Sequence, residues 1–267
     1  PLPKNLVLVR HVGREGNVAM RASVVDDYSL FTKQHRDRHS REFRLTSRGV
    51  KQAKSAGKWI HGNIPFPFNY FYVSDYIRAK ETAFHFRLEN ALWRDEFHLR
   101  ERDMALMDNI THAEKKKFVA EQKQHELDPF LSTPAGGGES FASLCLRVKA
   151  TFLEHLARQR SEDNVIVVCH GQTMRALQFE IENQNHDEFI RLGKTEDPKE
   201  KIRNCQILWY TRKDPNNKLV INNRMLVVRS ICPWDPKGDY GWRYLERKLL
   251  TNEDLKNEVE RYERHAN

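Results

Sequence analysis

Five side chains capable of nucleophilic, acid–base and anion-binding chemistry follow short apolar segments at widely separated points of the chain. They are two histidines, two arginines and one carboxylate: His11, His170, Arg10, Arg78 and Glu101. A neutral imidazole can attack phosphorus directly, and guanidinium groups can hold the charged oxygens in bidentate fashion. A second, protonated histidine can donate to a non-bridging oxygen. A carboxyl group can protonate the departing alkoxide and then accept a proton from the attacking water. This combination predicts phosphoryl transfer through a covalent phosphohistidine.

Taken one at a time, these residues have more ordinary interpretations. A histidine at the end of a strand is more often a structural hydrogen-bonding residue than a nucleophile, and most arginines of a basic protein face solvent. The prediction therefore depends on all five occurring at equivalent places, at or just after successive strand ends.

Alternating strands and helices predict how the five side chains come together. Strands are predicted at 6–10, 70–74, 97–99 and 165–169, followed by a hairpin formed by 206–210 and 219–228. Helices are predicted at 46–61, 77–88, 111–125, 140–160 and 172–182. The 6–10 and 165–169 runs are apolar and rich in β-branched residues, as in strands buried on both faces. Because ligands bind at the carboxyl ends of strands in an open α/β sheet, the histidines after these runs indicate a reaction centre.

Two stretches near the amino end are predicted to lack regular structure. Residues 12–17 include two glycines and an asparagine, which suits a loop whose backbone approaches a ligand closely. Residues 21–44 carry many charges without a sustained period, which indicates an irregular excursion over the surface.

Size, charge and cysteine content set outer limits on the class of protein. The 267 residues predict one domain over 1–237, with a polar helical insertion at about 104–137 and a charged helical tail at 238–267. The formal net charge of +8 favours anionic partners: phosphorylated small molecules, nucleic acid or an acidic membrane surface. No apolar stretch is long enough to span a bilayer, and the four cysteines are too scattered for a structural zinc site. A reducing compartment is expected, with the cytoplasm as the default, although an upstream leader could precede Pro1.

Six short motifs, taken in order, resemble a known family. They are Arg10-His11 followed by Glu15-Gly16-Asn17; Leu45-Thr46 with Arg48-Gly49 and Gln52-Ala53; Ser74 with Arg78-Ala79 and Thr82-Ala83; Leu99 to Asp103; Gly137 to Ser140; and Val168 to Gly171. Together they resemble the histidine phosphatase superfamily, also called phosphoglycerate mutase-like, over roughly residues 5–210.

The resemblance implies a fold and a set of roles. The fold would be a three-layer α/β/α sandwich with a mostly parallel central sheet, and the chemistry would need no metal and no organic cofactor. His11 would be the phosphorylated nucleophile and Glu101 the proton donor and acceptor, with Asp103 in reserve because it lies only two positions away. The residues that would hold the phosphoryl group are Arg10, Asn17, Arg78 and His170.

The chain departs from the family's usual pattern at two places. Val12 stands where the family usually has glycine, so its branched side chain is expected to shift the loop or narrow the substrate entrance. Met104 and Ala105 stand where an aromatic residue and a glycine are common. Neither change removes a residue that would perform the chemistry.

These observations predict a phosphomonoesterase that acts on a phosphorylated small molecule, or on a phosphoprotein as the second choice. A phosphoglycerate mutase-type phosphotransferase is the alternative within the same class. A non-catalytic module that binds a phosphorylated ligand or a protein is the alternative outside it, and Val12 is the residue that motivates it. Net charge is the only feature that favours a nucleic-acid partner, so no such partner is expected. A membrane partner is not expected either. A homodimer is left open.

Overall fold

A seven-stranded sheet forms the centre of the structure, a computed structural model that describes residues 1–217 and 221–265. Its strands are β1 (Asn5–Arg10), β2 (Tyr70–Val73), β3 (Trp93–Asp95), β4 (Asn164–Cys169), β5 (Ile207–Thr211), β6 (Val227–Ile231) and β7 (Asp239–Tyr244). Their order across the sheet is β3-β2-β4-β1-β5-β6-β7. The first four strands in this order are parallel, and β5, β6 and β7 are antiparallel to their neighbours.

Helices connect the strands and cover both faces of the sheet. They are α1 (Glu15–Val24), α2 (Lys33–Arg36), α3 (Ser47–Asn63), α4 (Ile77–Phe86), α5 (His112–Lys115), α6 (Val119–Leu127), α7 (Phe141–Arg147), α8 (Glu154–Ala157), α9 (Gly171–Glu182), α10 (His186–Lys194) and α11 (Asn252–Val259). A π-helical stretch, Val148–Leu153, joins α7 to α8. The long helix predicted at 140–160 is therefore continuous from α7 to α8, with a π-helical middle. The predicted cap at Thr46 is confirmed, because its hydroxyl accepts from the Gly49 N–H at 3.0 Å.

Strand β1 shows how the sheet separates two cores. Leu6 and Leu8 pack in one cluster with residues of α7 and α9, and Val7 and Val9 pack in a second cluster with residues of α3 and α4. All four side chains are buried because side chains alternate between the faces of a strand and both faces are covered. The expected three-layer α/β/α sandwich is confirmed. Its parallel strands form the half of the sheet that carries both histidines, and its other half is antiparallel.

The strand predicted at 97–99 is wrong. Residues Phe97–Leu99 form a 3₁₀ turn, and the strand that pairs with β2 is the preceding β3. The ladder ends at Glu96, whose N–H donates to the Val73 carbonyl, while its carboxylate accepts from the His98 N–H at 3.2 Å and turns the chain. Local hydrogen bonds thus outweigh the apolar composition of this stretch.

The amino-terminal excursion is more regular than predicted. Helix α1 begins inside the predicted 12–17 loop and continues through Val24, and α2 and the 3₁₀ turn Ser40–Glu42 follow within 21–44. Ser23 of α1 is buried, and its hydroxyl accepts from the His112 N–H at 3.0 Å. Packing against the segment around α5 therefore stabilises a helix whose own sequence has little apolar periodicity.

The carboxyl-terminal region is only partly the predicted helical tail. Residues 239–244 form the edge strand β7, and the helix in this region is α11. Trp242 packs edge-to-face on Trp209 at 4.8 Å, and Arg243 bonds the buried Glu182 carboxylate at 2.9 Å. Because these contacts fix two consecutive residues on opposite faces of the sheet, distant partners determine the position of the strand.

Two further predictions differ from the structure or lie partly outside it. The second strand of the hairpin begins at Val227 instead of 219, and residues 219 and 220, like 266 and 267 of the predicted tail, lie outside the described residues. The 104–137 segment contains α5 and α6, and its status as an insertion stays a prediction. In the part of the chain that the structure describes, no helix has both the length and the apolar character needed to cross a bilayer.

Candidate active site

The carboxyl ends of three neighbouring parallel strands meet at the candidate site. His11 follows β1, Ser74 follows β2 and His170 follows β4. The β1–β4 register pairs Arg10 with Cys169, which brings the two histidines that follow side by side. Their ring centroids lie 5.0 Å apart in an edge-on arrangement. The structure therefore brings together the two histidines whose position at strand ends first indicated a site.

His11 is held in one tautomer by its neighbours. Its Nδ1 lies 2.5 Å from the Val12 carbonyl oxygen, which can only accept, so Nδ1 carries the proton. The unprotonated Nε2 accepts from Arg78 Nε at 3.1 Å. Burial, followed by the nearby charges of Arg78 and Arg10, holds the pKa of His11 well below its usual value. The ring is therefore neutral, with its lone pair directed toward a guanidinium.

Arg78 connects the reaction centre to the amino-terminal excursion. It lies in the first turn of α4 with 1% of its surface exposed, and its Nη1 donates to the Ser40 carbonyl at 2.9 Å. Its guanidinium also lies over the Tyr76 ring at 4.5 Å. Burial lowers the pKa of Arg78 to about 9, so it remains charged at neutral pH. A buried cation with no carboxylate bonded to it in the described chain is well suited to an anionic ligand.

His170 has one nitrogen engaged and one unpartnered. Its Nε2 lies 2.7 Å from the Ser74 hydroxyl, and its buried Nδ1 has no hydrogen-bond partner among the described residues. Burial and then the Arg78 charge hold the pKa of His170 well below its usual value. A bound phosphoryl dianion would supply an acceptor for Nδ1. Its negative charge would also favour the protonated ring and so raise the pKa of His170.

Glu101 and Asp103 lie at different distances from the histidines. One carboxylate oxygen of Glu101 and one nitrogen from each histidine lie within 4.8 Å of one another. The Asp103 side chain is exposed and accepts from the Ala105 N–H at 2.8 Å. Both residues line the same cleft, and the geometry favours Glu101 for proton transfer near His11.

The remaining predicted site residues, Arg10 and Asn17, differ in how they relate to the histidines. Arg10 donates from Nη1 to the Ile202 carbonyl at 2.6 Å, and its buried Nε has no partner in the described chain. Asn17 lies in the first turn of α1, and its side-chain oxygen accepts from Arg14 Nε at 3.3 Å. Arg14 is one of the residues that line the cleft, and Asn17 is not. Asn17 thus reaches the site through Arg14.

Sequence reasoning did not assign site positions to Arg14, Ser40, Ser74 or Tyr76. Ser74 could have been assigned, because it ends the second predicted strand, and the histidines likewise lie where their strands end. Tyr76, whose ring lies 4.9 Å from that of His170, and Ser40, which contributes a carbonyl oxygen, carry no such signal.

Val12 does not narrow the entrance, contrary to expectation. Its side chain is fully buried and packs in the core cluster that includes Val7 and Val9, and it is not among the residues that line the cleft. A Cβ built on Gly49 of α3 would lie 3.1 Å from Val12 Cγ2, so Gly49 provides the space that the branched side chain fills. The contribution of Val12 to the site is its carbonyl oxygen, which any residue would supply.

His11, His170 and Glu101 form a donor set that could in principle hold a metal ion. Two features oppose a cation there. His11 Nε2 already accepts a hydrogen bond from Arg78, and the charges of Arg78 and Arg10 act on both histidines. The same charges favour an anion, so the donor set fits a phosphoryl group better than a divalent metal.

Comparisons with known sequences indicate the family of the chain. A sequence model described as "Histidine phosphatase superfamily (branch 1)" matches residues 6–207. A 2,3-bisphosphoglycerate-dependent phosphoglycerate mutase of Mesorhizobium japonicum is 26% identical over 197 residues, which cover 72% of this chain and 87% of that protein. Phosphoglycerate mutase-like protein AT74 of Arabidopsis thaliana is 31% identical over 198 residues, which cover 66% of this chain and 57% of that protein.

Solved structures share the fold at low sequence identity. A mycobacterial glucosyl-3-phosphoglycerate phosphatase superimposes with a TM-score of 0.60 at 19% identity, covering 83% of this chain and 96% of that one. A putative alpha-ribazole-5'-P phosphatase of Escherichia coli gives 0.58 at 17% identity, covering 94% and 100%. Since the family model spans well over half of the sequence, the chain belongs to branch 1 of the histidine phosphatase superfamily.

Proposed function

We propose that this protein is a phosphomonoesterase that hydrolyses a phosphorylated small molecule through a phosphohistidine on His11. The observation that carries the proposal is the state of His11: Nδ1 carries the proton and donates it to the Val12 carbonyl, and the Nε2 lone pair faces the Arg78 guanidinium 3.1 Å away. A phosphoryl group that Arg78 binds would take the place of this hydrogen bond and meet the lone pair directly.

In the first half-reaction, His11 Nε2 forms a bond to phosphorus as the ester P–O bond breaks. Arg78 holds the equatorial oxygens, and the unpartnered Nε of Arg10 and Nδ1 of His170 supply further donors. The leaving alkoxide takes a proton from Glu101, whose carboxyl group lies within 4.8 Å of the histidine nitrogens. The products are the phosphohistidine and the free alcohol.

In the second half-reaction, water attacks the phosphohistidine. Glu101, now a carboxylate, accepts a proton from the water as the P–N bond breaks, and inorganic phosphate leaves. His11 returns to its neutral form, which the buried surroundings favour. The cycle regenerates the starting protonation states and calls for no redox step.

A mutase is the second candidate, because curated sequence relatives carry that name at 26–28% identity. The names of solved structures with the same fold support the phosphatase. The two candidates differ in the acceptor of the phosphoryl group, which is water in one and a phosphoglycerate in the other. Conversion of 3-phosphoglycerate to 2-phosphoglycerate at a rate above that of hydrolysis would favour the mutase.

The direct test is hydrolysis of phenyl phosphate with and without a chelator, combined with phosphoryl labelling of the quenched protein. We expect chelator-insensitive turnover and an acid-labile label that is absent in His11→Ala, with activity lowered by at least about a thousandfold. His186→Ala is the matched control, since this histidine is exposed on α10. A clean preparation with neither turnover nor label across a phosphate panel would leave the non-catalytic phospho-ligand or protein-binding module as the better reading.

Glu101→Gln and Asp103→Asn separate the two candidate proton donors. We expect Glu101→Gln to lower kcat on alkyl phosphates by about 10²–10⁴-fold, with a smaller loss on nitrophenyl phosphate, whose leaving group needs little protonation. Asp103→Asn should retain most of the activity, because its carboxylate caps a turn at Ala105. A large loss in Asp103→Asn alone would assign proton transfer to Asp103.

A further inference from the structure

The cleft next to His11 is larger and more cationic than a phosphoryl group requires. Its volume is about 670 Å³, within the range of pockets that hold whole small-molecule ligands. Seven arginines and four carboxylates line it: Arg14, Arg36, Arg38, Arg41, Arg78, Arg100, Arg102, Asp75, Glu101, Asp103 and Asp108. The part of the substrate beyond the phosphoester therefore lies against a positively charged wall.

Four of these arginines already have structural partners. Arg36 pairs with Glu114 at 3.0 Å and Arg38 with Glu15 at 3.4 Å. The other two are Arg14, which bonds Asn17 and lies 3.9 Å from Asp108, and Arg102, which donates to the carbonyls of Glu139 and Ser132. These contacts connect the excursion and the 104–137 segment to the rest of the protein. The main role of the four guanidiniums is therefore to stabilise the walls of the cleft.

Arg100 is left with its hydrogen-bonding capacity free. Its guanidinium carbon lies 4.1 Å from the centroid of the Phe97 ring, and among the described residues its side chain makes no hydrogen bond or ion pair. A guanidinium stacked on an aromatic ring keeps its N–H donors available in the plane, and stacking holds that plane in position. Arg100 is thus oriented to bind a carboxylate or a phosphate.

Arg41 is the second weakly paired guanidinium of the wall. Its closest carboxylate is that of its neighbour Glu42, at 3.9 Å, and 58% of its side chain is exposed. An exposed pair at this distance contributes little, so an incoming anion can compete for Arg41.

Both residues are adjacent in sequence to groups at the reaction centre. Ser40, next to Arg41, accepts from Arg78 through its carbonyl, and Glu101 directly follows Arg100. The backbone at Arg100 is fixed further, because its carbonyl accepts from Thr173 Oγ1 at 2.8 Å. The two guanidiniums therefore have fixed attachment points one residue away from the phosphoryl site.

We propose that Arg100 and Arg41 form a second anion subsite that selects substrates carrying a further phosphate or carboxylate group beyond the scissile phosphoester. This inference rests on the proposed function for the identity of the scissile group. The substrate class is then a small phosphate ester with a second anionic group, and an aryl phosphate, whose phosphate is its only anionic group, uses only the Arg78 end of the cleft.

Steady-state kinetics with three substrates test the subsite. Phenyl phosphate carries no second anion, 3-phosphoglycerate carries a carboxylate, and fructose 1,6-bisphosphate carries a second phosphate, so the last two distinguish the two anion types. We expect Arg100→Gln to lower kcat/KM for at least one bis-anionic ester roughly 10- to 100-fold more than for phenyl phosphate, mainly through KM, and Arg41→Gln to do so to a smaller extent. Arg21→Gln, an exposed arginine of α1 outside the cleft lining, is the control and should not change the ratio. Equal losses on all three substrates would overturn the proposal.

Titration calorimetry on His11→Ala tests the second anion subsite by binding alone, without turnover. Fructose 1,6-bisphosphate and 3-phosphoglycerate are titrated into His11→Ala and into His11→Ala/Arg100→Gln, with inorganic phosphate as the single-anion probe. We expect the second substitution to weaken at least one bis-anionic ester about tenfold or more and inorganic phosphate much less. Unchanged affinity for both esters refutes the subsite even if the protein is an active phosphatase. A selective loss supports the subsite even if no hydrolysis is found, so the two proposals fail independently.

Discussion

Replacing Val12 with alanine tests where the side chain next to the proposed nucleophile points. Val12 is fully buried in the same core cluster as Val7, while its carbonyl oxygen accepts from His11 Nδ1 at 2.5 Å. The substitution removes two buried methyl groups and leaves the carbonyl in place. We therefore expect the free energy of unfolding to fall and the chemistry at His11 to continue.

The magnitude follows from the buried methyl groups. Each contributes about 0.8 kcal/mol of transfer free energy, and the cavity that remains adds to their sum, for a total loss of about 2–3 kcal/mol. In a chain of this size the loss corresponds to a melting temperature lower by roughly 5–10 °C. Urea denaturation measures it, and Val7→Ala, in the same cluster on β1 and farther from His11, should lose a similar amount.

Kinetics on the same two variants provide the discriminating measurement. Both should keep kcat/KM for phenyl phosphate close to that of the parent at a temperature where they are folded. A Val12→Ala variant that loses no stability and turns over bulky phosphate esters faster would show that the side chain faces the entrance. That result would refute the core placement and restore the expectation drawn from sequence.

Three further predictions concern stability. His11 and His170 have lowered pKa values, so both stay neutral in the folded protein but take up protons in the unfolded chain. The free energy of unfolding should therefore keep its full value above about pH 6.5 and fall on acidification, by up to about 2.7 kcal/mol per pH unit for the two histidines together. Denaturant titrations between pH 5.5 and 7.5 measure this slope. Ala105 has a left-handed backbone (φ +43°), so Ala105→Gly should raise the free energy of unfolding by about 1 kcal/mol, measured by urea denaturation. Arg243→Met removes a positive charge that pairs with the buried Glu182 carboxylate and should lower the free energy of unfolding by about 1–3 kcal/mol in the same assay. This range is lower than for a fully buried pair because the arginine side chain is 56% exposed.

Each of these has a control and an outcome that contradicts it. A His170→Gln variant should show about half the acid slope of the parent, and an unchanged slope would mean that His170 is not neutral when folded. Ala22→Gly in α1 should be destabilised, since its backbone is helical, and an equal loss in Ala105→Gly would remove the strain argument. Arg191→Met breaks ion pairs to carboxylates that are partly exposed, unlike Glu182, and should cost less than about 1 kcal/mol. A larger loss there than in Arg243→Met would contradict the burial argument.

The elements that carry the site were predictable because their signals are local. The apolar runs of β1 and β4 and the histidines that follow them, the Thr46 cap and the helix behind His170 are each encoded within about a dozen consecutive residues. Three of the short motifs that resemble the family lie on or next to these same elements, and the family is confirmed. The roles of the predicted site residues remain predictions, and the proposed kinetic experiments address those of His11, Glu101 and Asp103.

Features that depend on contacts between distant residues were missed or misread. Strand β7 is fixed by Trp209 and Glu182, and α1 is stabilised in part by its contact with the segment around α5. The 3₁₀ turn at Phe97–Leu99 was misread for another reason: its composition is strand-like, but a local hydrogen bond to the Glu96 carboxylate turns the chain. Periodicity reports only which face of an element is apolar, whereas these outcomes depend on which partner covers that face.

By itself, the sequence determined the α/β class and the buried strands, and it predicted which residues would bind a phosphoryl group. Only the tertiary structure decided the state of those residues. The proton on His11 Nδ1 depends on a backbone carbonyl, the charge near Nε2 on an arginine 67 positions away, and the direction of the Val12 side chain on the space at Gly49. Protonation, electrostatics and packing are set by distances in space, and a linear pattern specifies the residue types without those distances.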